Sequence, residues 1–170
     1  MLPKSKIIHT VVIAGITSLL FACNDTRKEE TTTVKEEPVA VVDKEQIKKE
    51  IQAKEDEFAA TYNSGILKEI GYYADDAVSF YQNRAPLVGK KAIAEFLAGD
   101  LASNSNKISF KTNEVFVSND GNLVVEIGYF KVVDSTNKPV NTGNYMSVFE
   151  KRNGKYVTVR DMSASDMTGN

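Results

Sequence analysis

Past residue 23 the chain has no histidine and no thiol, because its only histidine is His9 and its only cysteine is Cys23. That removes serine–histidine and cysteine–histidine catalysis, and metal held by histidine or thiolate. Acid–base chemistry then falls to Asp, Glu, Lys or Tyr. The best-placed candidate is Asp161, which needs burial and a raised pKa to act as a base. Beside it stands Arg160, and with Tyr62, Tyr81, Asn83, Tyr129, Tyr145 and Phe149 it outlines an aromatic, amide-rich pocket. Such a wall suits a small amphipathic ligand. No phosphate-cradling glycine loop, metal-ligand cluster or basic stripe with interleaved aromatics occurs in the sequence, so no cofactor and no metal are expected. The formal net charge of −2 argues against nucleic acid as a partner. Arg84 and Lys90 flank a loop at the expected pocket mouth, where solvated charge is their ordinary role.

These residues need a scaffold, and its clearest signal is Asn153-Gly154 between two alternating runs. A type I′ turn needs positive φ at both central residues, which Asn-Gly supplies. Taking it as a two-residue loop fixes the register. Met146, Val148, Val157 and Val159 are then expected on one face with Asp161. Tyr145, Ser147, Phe149, Tyr156, Thr158 and Arg160 are expected on the other.

Residues 1–22 are expected to be a lipoprotein signal peptide. Lys4 and Lys6 form a positive n-region, and Ile7 to Phe21 is apolar but short for a membrane span. The stretch ends in Leu20-Phe21-Ala22-Cys23, which resembles a bacterial lipobox cleaved before the cysteine. Lipid at Cys23 would anchor the protein by insertion, not by a span. The expected location is the cell envelope, on the outer membrane facing the periplasm. The mature chain then holds nineteen Lys and Arg against twenty-three Asp and Glu, a formal −4. Residues 23–43, polar and mixed in charge, read as a flexible tether.

A folded domain is expected over 44–166, with a short tail over 167–170. Asp43 and Gln46 make a capping-box start. Ile47, Ile51, Phe58 and Tyr62 share one helical face, with the Glu and Lys residues on the solvated opposite side. Asn63-Ser64-Gly65 ends that helix. A short helix is expected over 66–73, closed by Asp75 and Asp76, then a strand over 77–82 and a loop over 83–88. A further helix is expected over 90–101. Strands over 107–118 and 123–135 precede the hairpin. Helices first, then long strands, means α+β: N-terminal helices on a curved, mostly antiparallel sheet.

Tyr62-Asn63-Ser64-Gly65, Tyr73-Ala74-Asp75-Asp76-Ala77-Val78, Leu87-Val88-Gly89-Lys90-Lys91-Ala92-Ile93 and Arg160-Asp161 follow one another in an order that resembles the nuclear transport factor 2-like superfamily, in its SnoaL-like branch. The resemblance implies a cone-shaped, cystatin-like roll with an open pocket, and commonly a homodimer. It implies either an enzyme of the isomerase, cyclase or dehydratase kind, or a ligand-binding or assembly module. The steroid isomerase branch places its catalytic aspartate where this chain has Tyr81 and its tyrosine donor where it has Phe58, so the resemblance does not carry that activity over.

Three functions stay open: a tethered, non-catalytic small-molecule binder, which is the leading expectation; a dimerising scaffold; and an acid–base enzyme using Asp161. An exposed, satisfied Asp161 beside a tyrosine-lined cavity favours the first. A filled interior favours the second. A buried Asp161 facing open volume, with a tyrosine in hydrogen-bond reach, favours the third.

Overall fold

The computed structural model describes residues 42–67 and 70–167. The expected signal peptide over 1–22, Cys23, nearly all of the expected tether and residues 168–170 of the expected tail lie outside the described residues, as do 68–69.

Helix α1 spans Lys44–Asn63, and Asp43 caps it by accepting from the Gln46 backbone N–H at 3.0 Å. Ile47, Ile51, Phe58 and Tyr62 are buried on one face as their spacing predicts. Glu55 is buried with them, 1% exposed, and not among the solvated charges. It fills the gap eight residues after Ile47 and so belongs to the core-facing stripe.

The short helix expected over 66–73 is not what its described residues form. Ile66 and Leu67 are irregular, and strand β1, Tyr73–Phe80, starts four residues before Ala77. Tyr72, Tyr73 and Ala74 are buried in succession, and the Thr158 N–H donates to Tyr72 O at 2.8 Å. Burial on successive residues suits a strand covered on both faces better than a half-solvated helix. Asp75 and Asp76 are therefore exposed strand residues, and Asp76 takes both guanidinium nitrogens of Arg152.

The remaining elements are β2 (Leu87–Val88), α2 (Lys90–Ser103), β3 (Lys107–Val117), β4 (Leu123–Val133), β5 (Pro139–Arg152) and β6 (Lys155–Ser165). They form one six-stranded sheet in the order β2-β1-β6-β5-β4-β3, antiparallel except where β1 meets β6. The fold is α+β, with a mostly antiparallel open sheet. Helix α1 packs along β3 and α2 along β1. Two amides of α1 also bond the outermost strand. Gln52 accepts from Thr112 N at 2.8 Å and donates to Phe110 O at 3.2 Å. Asn63 accepts from Ile108 N at 2.9 Å and donates to Ile108 O at 2.8 Å. An edge that would otherwise present free N–H and C=O groups is thus occupied by the helix.

The hairpin register is as expected: Arg152 pairs with Lys155 across Asn153 (φ 52°) and Gly154 (φ 77°). The face assignment is not. Phe149 pairs with Thr158 but Val148 pairs with Arg160, so Val159 is an extra residue in β6. This β-bulge reverses every later side chain. Asp161 joins Ser147, on the inner face with Tyr145 and Phe149, and not Met146 and Val148. Arg160 moves to the outer face.

Candidate functional site

Between the helices and the inner sheet face lies a cavity of about 290 Å³. That is near the small end of the range for small-molecule pockets, roughly 300–1,000 Å³. Aromatic rings are the largest group in its wall. From α1 come Phe58 and Tyr62, from the residue before β1 comes Tyr72, from its first residue Tyr73, and from α2 Phe96. Phe58 sits at the centre, its ring 4.8 Å from Tyr72, 5.9 Å from Tyr73 and 5.6 Å from Phe110.

The bulge brings Asp161 into this wall. Its Oδ2 accepts from the Tyr73 hydroxyl at 2.9 Å, while Oδ1 is shut off from solvent without a well-formed partner. Ser79 lies opposite Asp161 in the parallel register. Its buried hydroxyl lacks a well-formed bond too, yet stands near enough to favour the charged form. Burial pushes the Asp161 carboxyl up to about 6, and the Ser79 and Tyr73 hydroxyls pull the other way. Burial and then the Asp161 charge raise the Tyr73 phenol, and burial, then Glu55, Asp161 and Glu126, raise the Tyr72 phenol, so both stay protonated donors.

A second acidic group lies beside the first. Glu55 lines the cavity and accepts from the Tyr72 hydroxyl, which also lies 3.3 Å from Ser147 Oγ. Glu126, fully buried on β4, accepts at Oε1 from Thr112 at 2.5 Å and from Tyr145 at 2.7 Å. Glu126 Oε2 has no donor among the protein's fixed N–H and O–H groups. Burial first, then the Glu126 charge, raises Glu55 well above the usual carboxyl range; burial also raises Glu126. Two carboxyls in bonding reach of each other and shut off from water share a proton. Glu55 is the one whose protonated form the pair favours. Gly128 makes the arrangement possible, because a Cβ there would stand 2.4 Å from the Tyr145 hydroxyl.

Of the residues proposed from sequence, Tyr62, Tyr81, Tyr145 and Asp161 meet in the cavity wall. The Tyr62 hydroxyl donates to Asp100 Oδ2 on α2, and Tyr81 stacks on Phe96 at 4.6 Å. The others lie elsewhere. Phe149 is wholly buried in the core, its ring 5.7 Å from Tyr72. Tyr129 is on the outer face and 51% exposed. Asn83 sits in the exposed loop after β1, in the left-handed conformation (φ 60°). Arg160 donates to the carbonyls of Val159 and Asp76 on the outer face and makes no ion pair with Asp161. Asp166 accepts from Thr142 at 2.8 Å, outside any Arg160 group. Arg84 rests on the Phe96 ring at 4.2 Å. Tyr81 and Phe58, at the two positions where the steroid isomerase resemblance needs an aspartate and a tyrosine, both face the cavity.

Glu55, Tyr72, Tyr73, Asp100 and Glu126 were not singled out from sequence. The signal for Glu55 was its place in the apolar stripe of α1. The signal for Glu126 was its inward parity between Val124 and Gly128, both buried.

A helix pair covering one face of a mixed sheet, with a cavity between, defines a cystatin-like roll. The sequence model of the SnoaL-like domain matches residues 56–159, more than half of the chain, and the chain belongs to that family. No curated protein matches it. Among solved structures it resembles a nuclear transport factor 2-like protein with a cystatin-like fold from Novosphingobium aromaticivorans, with TM-score 0.62, 16% identity, and coverage of 73% of this chain and 84% of that one. A cystatin-like protein of unknown function from Nostoc punctiforme gives TM-score 0.61 at 14% identity, covering 71% and 92%. A ketosteroid isomerase-like protein from Erwinia carotovora gives TM-score 0.57 at 16% identity, covering 71% and 96%. At these identities the likeness concerns the fold alone.

Proposed function

We propose that the cavity takes up a small, largely apolar molecule and that Asp161 moves a proton on it, in an isomerase-, cyclase- or hydrolase-type reaction. The observation that carries this reading is the Asp161 carboxyl: in the cavity wall, bonded to Tyr73 at 2.9 Å, and raised to about 6. A base with a value just below neutral is ionised at pH 7 yet accepts a proton readily. An open cavity supports this reading over a filled scaffold, and a shielded Asp161 with Tyr73 in hydrogen-bond reach supports it over a plain binder. The arrangement differs from the steroid isomerase layout, since the carboxylate stands on β6 and not at Tyr81. The test is substrate-independent. The full chain is incubated in D₂O with a panel of small cyclic and aryl ketones, and deuterium entry α to the carbonyl is followed by NMR. Exchange above buffer that disappears in Asp161→Asn supports the reading. Binding without exchange returns the site to a non-catalytic pocket.

The cellular setting belongs to the same proposal. The lipobox-like Leu20-Phe21-Ala22-Cys23 supports a lipid-anchored protein of the cell envelope, tested by metabolic labelling with palmitate and its loss in Cys23→Ala. The outer sheet face supports a homodimer. Phe80 pairs with Met162 and Met162 with Met146, and all three are exposed by 39–53%. A continuous apolar ribbon of this kind marks an interface. Sedimentation equilibrium that returns a monomer for the wild type would remove that part.

A further inference from the structure

We propose that Ser79 is the positioning residue for Asp161: its hydroxyl donates to Oδ1 on the side away from the cavity, which leaves Oδ2, the oxygen shared with Tyr73, to face the ligand. This rests on reading Asp161 as the group that moves the proton, and it adds the residue that holds that group in place.

The register makes the pairing. Ser79 on β1 is the Cα partner of Asp161 on β6. Residues set opposite each other in this way carry their side chains on one sheet face. The bulge at Val159 is what turns Asp161 to that face. Ser79 itself is 1% exposed and, unlike Asp161, does not line the cavity. Ser79 Oγ and Asp161 Oδ1 are both shut off from solvent, and neither has a well-formed bond to any other group among the described residues. Left apart, a buried hydroxyl and a buried carboxylate oxygen each keep a desolvation cost that one bond between them removes. A serine hydroxyl turns its proton to whichever acceptor is near, and Tyr73 is already committed to Oδ2 at 2.9 Å. The electrostatics agree with the geometry. Against the burial that raises the Asp161 carboxyl, Ser79 is the strongest opposing group, ahead of Tyr73.

Other titratable groups surround the pair. Tyr73 from β1 and Tyr81 just past its end have phenols raised by burial first. Glu55 from α1 and Glu126 from β4 are raised together, and Asp100 from α2 acts on Tyr81. A signal from the Asp161 carboxyl carbon alone keeps its titration apart from theirs.

The test is a carboxyl-carbon NMR titration of the full chain from about pH 4 to 9, with the Asp161 signal assigned by its loss in Asp161→Asn. Ser79→Ala should raise the Asp161 midpoint by about one pH unit or more, because a donor to the charged form is gone. Ser79→Thr keeps a hydroxyl and should hold the midpoint at the wild-type value. A merely structural serine would change stability and leave the midpoint alone. In the deuterium-exchange assay the acid limb of the rate profile should move with the midpoint, so that exchange by Ser79→Ala at about pH 6 falls about fivefold. If Ser79→Ala does not fold, Ser79→Cys, a weaker donor of similar size, takes its place and should give an intermediate midpoint. A midpoint unmoved by loss of the hydroxyl overturns the inference. A midpoint that moves while the exchange limb stays overturns the link from Ser79 to the reaction. No exchange even in the wild type, with the midpoint still moved by Ser79→Ala, overturns the reaction reading and leaves the bond between Ser79 and Asp161 standing.

Discussion

The Tyr73 hydroxyl donates to one oxygen of Asp161 and leaves the other without a well-formed partner. One carboxyl is thereby anchored and still free to accept. The bond favours the ionised form, against the burial that disfavours it. Tyr73→Phe should raise the Asp161 value above 6. A hydrogen bond to a charged group contributes about 1.5–3 kcal/mol, so a rise of about one unit or more is expected. A carboxyl-carbon NMR titration reads it directly.

The same shift sets a pH dependence of stability. The folded value, about 6, lies above the ordinary aspartate value of about 4, so native Asp161 holds a proton that the unfolded chain has released. Asp161 therefore costs nothing below about pH 4, weakens the fold progressively between about 4 and 6, and has its full effect above. Asp161→Asn lacks that loss. Its melting temperature relative to wild type should climb across this window and level off beyond it.

Glu55 gives a sharper contrast. It is protonated and serves as a donor to Glu126, a role the amide of glutamine reproduces. Glu55→Gln should lie within about 1 kcal/mol of wild type at pH 5. At pH 8 it should be the more stable protein, because the wild type must keep on buried Glu55 a proton that the unfolded chain has released. Glu55→Leu should lose about 1–3 kcal/mol at both values, since Tyr72 and Glu126 each lose a partner. Urea titrations at the two pH values separate these outcomes.

Gly128 and Tyr145 are coupled by contact. Gly128→Ala puts a methyl 2.4 Å from the Tyr145 ring and hydroxyl and 2.6 Å from Lys111 O. Overpacking costs about 1–3 kcal/mol, and more here because backbone resists the shift. Tyr145→Phe removes one of the two hydroxyls held by Glu126 Oε1. In the double variant the two losses should fall short of additive, because the displaced ring no longer has a bond to lose.

The tie between helix and sheet edge is the fifth test. Gln52 serves both Thr112 N and Phe110 O, and Gln52→Ala leaves both without it. A loss of about 1–2 kcal/mol is expected in urea unfolding. Amide exchange should quicken first at Thr112, which reads the edge and not the whole domain.

Much of this architecture is legible in the residues. Asp43 as cap, the α1 stripe, the long strands and the Asn153-Gly154 register follow from local chemistry with little need of context. The site is less so. Alternation continues unbroken through Tyr156-Val157-Thr158-Val159-Arg160, so nothing in it announces that Val159 is extra; the bulge is imposed by the neighbouring strands. Glu55 hides because charge on a helix is ordinarily solvated, and its neutral form has no signature in sequence. Tyr72 and Tyr73 are aromatic in either conformation, and only their pairing to β6 makes them a strand.

One inserted residue thus decides the character of the interior. Were Val159 paired in the regular ladder and not bulged out, Arg160 would face Ser147 and point inward, Asp161 would face Met146 and point outward, and every later β6 side chain would change sides with them. A relative that pairs this stretch without the bulge would present a different set of β6 side chains to its chamber. The bulge at that point, more than the identity of any wall residue, is then the feature by which such chambers are best sorted.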